Sequence, residues 1–477
     1  MPGVRKSEKD EICDKIGCAV SVTPAFRFRK AQTMTQAPLP VLSDFTQALC
    51  AALILMVPLA AAGLALTQAG LGRSRSAAHA MLGSICVVAT AALAYFAFGW
   101  SWQGLPGGPS HAIGAAGKAW NWIGAEPFFL GGLAHDGPRG ALSAWLQMFS
   151  VGIAALIPLG AGNDRWRLGA CCASTALLAG WTYPLFAHWV WGGGWLAQLG
   201  ANQGWGYGLL DAGGAGTIQA VGGLTALSIA WILGPRHGKY AADGMPAAIP
   251  GHNAVMVLFA CFLTWLGFLG LNGSGSLLWI GGSAAGVALV AINTTICASS
   301  AALATAGITR MRFGRPDASL CANGWTGGLV ASSAACAFVS PASAAITGAI
   351  AGVLITFSVE WLDARLGVDD PAGSISVHAV GGLWGLLALG IFARFPQDTV
   401  LNGVATSSSN QWLAQLAGVL ALLLFVLPMT YSLNWLLNRF YPQRVSPDGE
   451  SHGLDLYELG AGAYPEFVTH REDFRQR

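Results

Sequence analysis

Two polar side chains stand where an apolar helix would ordinarily carry none. Gln219 and His378 each lie in a long hydrophobic run, eight residues after an aspartate and directly before the same five residues, AVGGL. The full stretches read DAGGAGTIQAVGGL at 211–224 and DPAGSISVHAVGGL at 370–383. An imidazole or amide in hydrocarbon is costly without a partner, so a polar residue at that depth is read as functional. Eight residues of helix rise about 12 Å, which carries both side chains well into a bilayer. Imidazole takes up and passes on a proton near neutral pH, whereas an amide only donates or accepts a hydrogen bond. The chemistry on offer is therefore a membrane pathway with Gln219 and His378 facing one another at its centre. Asp211 and Asp370 stand where a carboxylate caps the positive end of a helix and lowers the cost of a nearby cation. Trp191 ends an apolar run just before GGG. An indole face holds a small cation by about 0.5–2 kcal/mol, which suits weak and reversible capture.

The elements that position these residues are membrane spans. Of 477 residues, 54% are hydrophobic and 10% charged, with a mean hydropathy of +0.52. That composition excludes an ordinary soluble domain. The 64 glycines suit close helix contacts in lipid. A formal charge of +2 gives no nucleic-acid footprint. Eight of ten cysteines fall inside apolar runs as small hydrophobes, and Cys13 and Cys18 lie outside them. The histidines other than His378 show no ligand spacing. No nucleophile elbow, phosphate loop or carboxylate pair is in a plausible context, so no metal, cofactor or enzyme activity is expected.

The fold class expected is an all-α integral membrane protein with eleven transmembrane helices, at about 45–70, 77–101, 141–162, 168–191, 212–234, 252–271, 277–305, 318–338, 343–364, 373–393 and 411–436. Spans 1–5 (45–234) and 6–10 (252–393) form two halves, and 411–436 is an extra helix. Five spans per half force opposite orientations, which makes the repeat an inverted one with its site at the interface. Alternate loops, with the segment after the last span, hold 12 basic residues against 3 in the others, so that face is cytoplasmic. The N-terminus then lies outside and the C-terminus inside the cytoplasmic (inner) membrane. Residues 1–43 form a polar extension, read as disordered or as preceding a true start at Met34. Residues 44–437 form the membrane domain, and 438–477 a cytoplasmic tail. The loop at 102–140 is expected to cover the outer vestibule.

Taken in order, AHWVWGGG (187–194), LGPRHGKY (233–240), GHN (251–253), GFLGLN (267–272), GVDDP (367–371), VHAVGGLWG (377–385) and GLDLYELGAGAY (453–464) resemble the ammonium transporter family (Amt/Mep/Rh). The resemblance implies a homotrimer with a pore in each subunit, ammonium as substrate, and a PII-type regulatory protein as cytoplasmic partner. It implies capture of ammonium at Trp191, support from Asp211, and ammonia passing a pore pair at Gln219 and His378. Gln219 replaces the first of two pore histidines. Ser150 stands at the outer gate phenylalanine position, with Phe149 beside it, and Leu271 at the inner one. The outer-site serine position falls on Gly275, between Ser274 and Ser276. The other reading is an Amt-like ammonium sensor that conducts little.

Overall fold

In hydrocarbon every backbone N–H and C=O needs a partner within its own segment, so the apolar runs fold as helices. The computed structural model describes residues 41–133, 136–396, 399–405 and 410–464. Of the expected extension at 1–43, residues 1–40, with Met34, Cys13 and Cys18, lie outside the described residues, as do residues 465–477 of the tail. The membrane helices are α1 (Asp44–Leu71), α2 (Ser74–Gln103), α3 (Gly137–Gly162), α4 (Leu168–Trp191), α5 (Ala215–Leu233), α6 (Ala254–Trp279), α7 (Ala284–Phe313), α8 (Ala318–Ala335), α9 (Pro341–Leu366), α10 (Ile375–Phe392) and α11 (Gln411–Phe440). Ten of them are long and apolar enough to cross a membrane.

The exception is α8, an 18-residue helix whose Asn323, glycines and serines dilute its hydropathy. From Asn323 to Ala335 only Trp325 escapes full burial, so the helix meets protein rather than lipid. Its Gly324 and Gly328 lie against Thr305 and Ala298 of α7, where a Cβ would collide. Small residues replace hydropathy as the cohesive device there. Span 6 is longer than expected. The Gly- and Ser-rich stretch after Asn272 reads as a break, yet α6 continues to Trp279. The Ser274 and Ser276 hydroxyls donate to Gly270 O and Gly273 O at 2.7 Å each, satisfying themselves within the helix.

The two halves meet where AVGGL recurs. A Cβ on Gly223 of α5 would sit 2.2 Å from Ala379 N, and one on Gly382 of α10 would sit 3.0 Å from Ala220 N. Ala220 and Ala379 hold the same place in the two repeats, so the contact is reciprocal, as an isologous crossing is. The chain also opens each repeat with a π-helical turn, Ala215–Ala220 and Ile375–Val380, which contains the polar residue. Such turns widen the helix and recur at functional sites. Asp211 lies beside Trp191 on one face of the bundle, and Asp369 and Asp370 beside Arg165 on the other. This is the inverted arrangement that five spans per half require.

On the Trp191 face a hairpin covers the bundle, β1 (Ser110–Ala115) antiparallel to β2 (Lys118–Gly124). Sequence reading placed only a loop here. The strands meet at Ala116 and Gly117, both with positive φ (51° and 73°), as a type I′ turn needs. Trp189 Nε1 donates to Trp122 O at 2.8 Å, and Trp195 N to Asn121 O at 2.9 Å, which seats the hairpin on α4. Glu126 follows it and is 7% exposed. Burial, and then the Asp136 carboxylate, push its carboxyl up to about 7. A folded-state value above the ordinary one means that protonation favours the folded cover. The stability from this group is complete below about pH 4.5 and is lost as pH rises to about 7. Thermal unfolding near pH 5 and near pH 7.5 should therefore differ, and Glu126→Gln should narrow the difference; equal melting of both proteins at both values would contradict it.

On the opposite face the tail lies across the helix ends. Arg167 N donates to Gln443 O and Val445 N to Arg165 O, both at 3.0 Å. Asp455 accepts from Ala78 N and His79 N (3.2 and 2.7 Å) at the first turns of α2. Glu458 accepts from Leu168 N at the start of α4 and meets His79 Nε2 at 2.8 Å. Carboxylates at helix N-termini are favourable through the orphan N–H groups and the dipole. The basic loop residues Arg75, Arg165, Arg167, Arg236 and Arg444 all lie on this tail-bearing face.

Candidate functional site

Gln219 and His378, brought by α5 and α10 to the crossing of the repeats, are hydrogen-bonded: His378 Nδ1 and Gln219 Oε1 are 2.7 Å apart. Both are buried. With the amide oxygen as acceptor, Nδ1 carries the hydrogen and Nε2 keeps its lone pair. Gln219 Nε2 has no partner among the described residues. The pair is thus held at one edge and open at the other.

Trp191, 5% exposed, donates from Nε1 to Asp211 O at 2.8 Å. Its ring stacks on Trp279, with centroids 5.1 Å apart and planes 12° from parallel. Trp279 belongs to the part of α6 that sequence reading cut off. A lone tryptophan at the end of an apolar helix is the one signal that could have found it. Asp211 is saturated. Its Oδ1 accepts from Gly214 N and Ala215 N (3.0 and 2.7 Å). Its Oδ2 accepts from Gly216 N, Thr217 N and Thr217 Oγ1 (3.0, 2.8 and 2.9 Å). Five donors leave the carboxylate no role as a direct ion ligand; it fixes the start of α5 and holds Trp191 through the backbone.

The remaining expected residues are joined to Trp191 by no hydrogen bond or ring contact among the described residues. Ser274 and Ser276 bond to their own helix, while the Gly275 between them lies against Ala212, where a Cβ would be 2.2 Å from the carbonyl oxygen. Phe149 is half-buried and tilts against Trp145, 6.2 Å between centroids. Ser150 is buried, with Oγ donating to Leu146 O at 2.9 Å. Leu271 is buried in the core.

Sequence reading missed a polar layer at the level of Ser150. Tyr183 OH donates to Gln147 Oε1 at 2.6 Å. Gln147 Nε2 and Thr182 Oγ1 are buried without a partner among the described residues, as is Ser143 Oγ, about two turns back along α3. With Gln147 bonded to the Tyr183 hydroxyl, this layer joins polar groups to an aromatic ring. It was illegible because Gln147 and Tyr183 sit on different helices, 36 residues apart.

At the tail-bearing end, Arg236 binds both oxygens of Asp369 (2.9 and 3.0 Å) and Asp164 Oδ2 (2.8 Å). Lys239 pairs with Asp363 at 2.8 Å. Hydrogen bonds from Arg236 and the Arg165 charge hold the Asp369 carboxyl below its usual range despite burial. No cluster of metal-ligating side chains occurs among the described residues.

An inverted repeat of membrane helices with a polar pair buried at its crossing defines a multi-pass membrane protein whose candidate site lies at the repeat interface. The sequence profile of the Ammonium Transporter Family matches residues 47–464. Ammonium transporter Amt2 of Archaeoglobus fulgidus is 35% identical over 454 residues, covering 92% of this chain and 91% of that one. The ammonium transporter of Bacillus subtilis is 30% identical over 420 residues, 87% and 97% of the two chains. Among solved structures, a Sensor Amt Protein superposes with a TM-score of 0.77 at 28% identity, covering 87% of this chain and 98% of that one. Mep2 of Candida albicans shares the fold (TM-score 0.73, 23% identity, 90% and 93% covered). The chain belongs to the ammonium transporter family.

Proposed function

We propose that this chain passes ammonium nitrogen across the cytoplasmic membrane through a pore in each subunit of a homotrimer, with its tail on the cytoplasmic side. The observation that carries the reading is the Gln219–His378 hydrogen bond at the crossing of the repeats. Ammonium is weakly held against the Trp191–Trp279 aromatic pair, whose π-faces attract a cation without anchoring it. Asp211 keeps Trp191 in place. Ammonia then moves past the polar layer at Ser150 and along His378, whose free nitrogen accepts from it. Phe149 serves packing on this reading, and Leu271 lines the path beyond the pair. Tail contacts with α2 and α4 offer a surface for a PII-type regulator.

The test is a current recording on a solid-supported membrane from proteoliposomes of the full chain, given an ammonium pulse. A saturable current that methylammonium competes with is expected. Trp191→Leu should weaken the apparent affinity about tenfold, near 1.4 kcal/mol. An unchanged concentration dependence in that variant would remove Trp191 from the site. The second reading, a sensor that binds ammonium and conducts little, is favoured by Gln219, which cannot relay a proton. Binding without current would establish it over transport.

A further inference from the structure

The two repeats place a hydroxyl six residues after the aspartate, Thr217 after Asp211 and Ser376 after Asp370. In the first repeat that hydroxyl donates to the carboxylate, which has five donors in all. In the second the same positions are unclosed. Asp370 Oδ2 accepts from Ile375 N at 2.7 Å, but Oδ1 is buried and has no partner among the described residues. Ser376 is 0% exposed, and its Oγ is also without a partner there. Both residues line one cavity of about 140 Å³ on the tail-bearing face, with Arg236, Lys239, Asp363 and Asp369 around it. That volume holds several waters or a small ion with part of its hydration.

The charges around the cavity do not balance. Three bases (Arg165, Arg236, Lys239) meet four carboxylates (Asp164, Asp363, Asp369, Asp370). The first three carboxylates are in ion pairs; Asp370 is in none among the described residues. Burial raises the Asp370 carboxyl to about 6, against the N–H groups of Ile375 and Ser374 that lower it. Its charged form carries a desolvation cost that a cation beside it would relieve.

We infer that Asp370 and Ser376 form a second cation site, at the cytoplasmic mouth of the pathway, in which ammonium donates N–H bonds to Asp370 Oδ1 and Ser376 Oγ. The site rests on the reading of His378, two residues beyond Ser376, as the centre of that pathway. It accepts from a donor-only cation because both unpartnered atoms are oxygens and one is charged. The pore is thereby asymmetric: an aromatic site takes ammonium weakly outside, and a carboxylate takes it inside.

Thallium, a monovalent cation of similar size to ammonium, is the probe. Crystals of the full chain grown with thallium should show anomalous density between Asp370 and Ser376 that excess ammonium displaces. Ser376→Ala should weaken it and Asp370→Asn abolish it. Absence of density in the wild type, or density that ammonium leaves in place, overturns the proposal. In proteoliposomes Ser376→Ala should raise the half-saturating ammonium concentration about tenfold from the tail-bearing side alone; no shift, or an equal shift from both sides, also overturns it. Should the wild type itself carry no current, transport fails as a reading, and the thallium density decides the site independently. Ser376→Ala removes only a hydroxyl, so the test survives if Asp370→Asn does not fold.

Discussion

Asp211→Ala should yield little or no folded protein. The substitution removes an acceptor from four backbone N–H groups and one hydroxyl, all buried in the first turns of α5. Each buried donor left without a partner costs about 1–3 kcal/mol. Water entering the gap recovers part of that sum, yet the loss still approaches the 5–15 kcal/mol that stabilises a typical folded protein. Gly214, at φ 89°, turns the chain so that these N–H groups converge on one carboxylate, and no neighbouring side chain replaces it. Asp211→Asn keeps one acceptor oxygen and turns the other into a donor facing donors, so it should fall between alanine and wild type. The measurement is the yield and melting temperature of the detergent-solubilised protein by size exclusion with tryptophan fluorescence. An alanine variant that elutes and melts as the wild type does would show that the cap is dispensable, and with it the account of how Trp191 is held.

Gln219→His should sharpen selectivity for ammonium over potassium, by about tenfold in the ratio of their currents, near 1.4 kcal/mol. A proton wire needs groups that alternately accept and donate, and the Gln219 amide only holds a hydrogen bond to His378. On the proposed path a relay through this pair therefore has one titratable member. On the proposed path, Ser150 and the Gln147 Nε2, Ser143 Oγ and Thr182 Oγ1 atoms, without partners among the described residues, would replace part of an ion's hydration. A second imidazole supplies the missing relay step and lets ammonia travel while its proton is handed on. Currents from ammonium and potassium gradients, recorded for both proteins at matched density, decide the matter. Equal rejection of potassium by wild type and variant would mean that position 219 does not set selectivity. Current from the variant alone would make the wild type a sensor.

The sequence determined the membrane class, the halves and the facing of Gln219 with His378. Those follow from hydropathy, basic-loop asymmetry and a repeat in register, all of which are local or additive along the chain. Spacing likewise marked Asp211 as the cap of its own helix, because a carboxylate at a helix start acts within six residues of itself. What only the tertiary structure decided are relations between distant segments. The true length of α6 depends on serines that satisfy themselves inside a helix where composition suggests a break, and that length is what brings Trp279 onto Trp191. The placing of α8 in the core depends on glycines meeting α7, which no hydropathy sum registers. The β1–β2 hairpin depends on a two-residue turn in a loop. The greatest divergence is between Asp211 and Asp370, alike in sequence. One has its lone pairs filled by its own helix, while the other keeps an oxygen without a partner among the described residues, toward a cavity enclosed by the second half and by the segment that joins the halves. Whether a carboxylate is a cap or a site depends on how many donors the fold delivers to it, and that number exists only once the chain has closed around it.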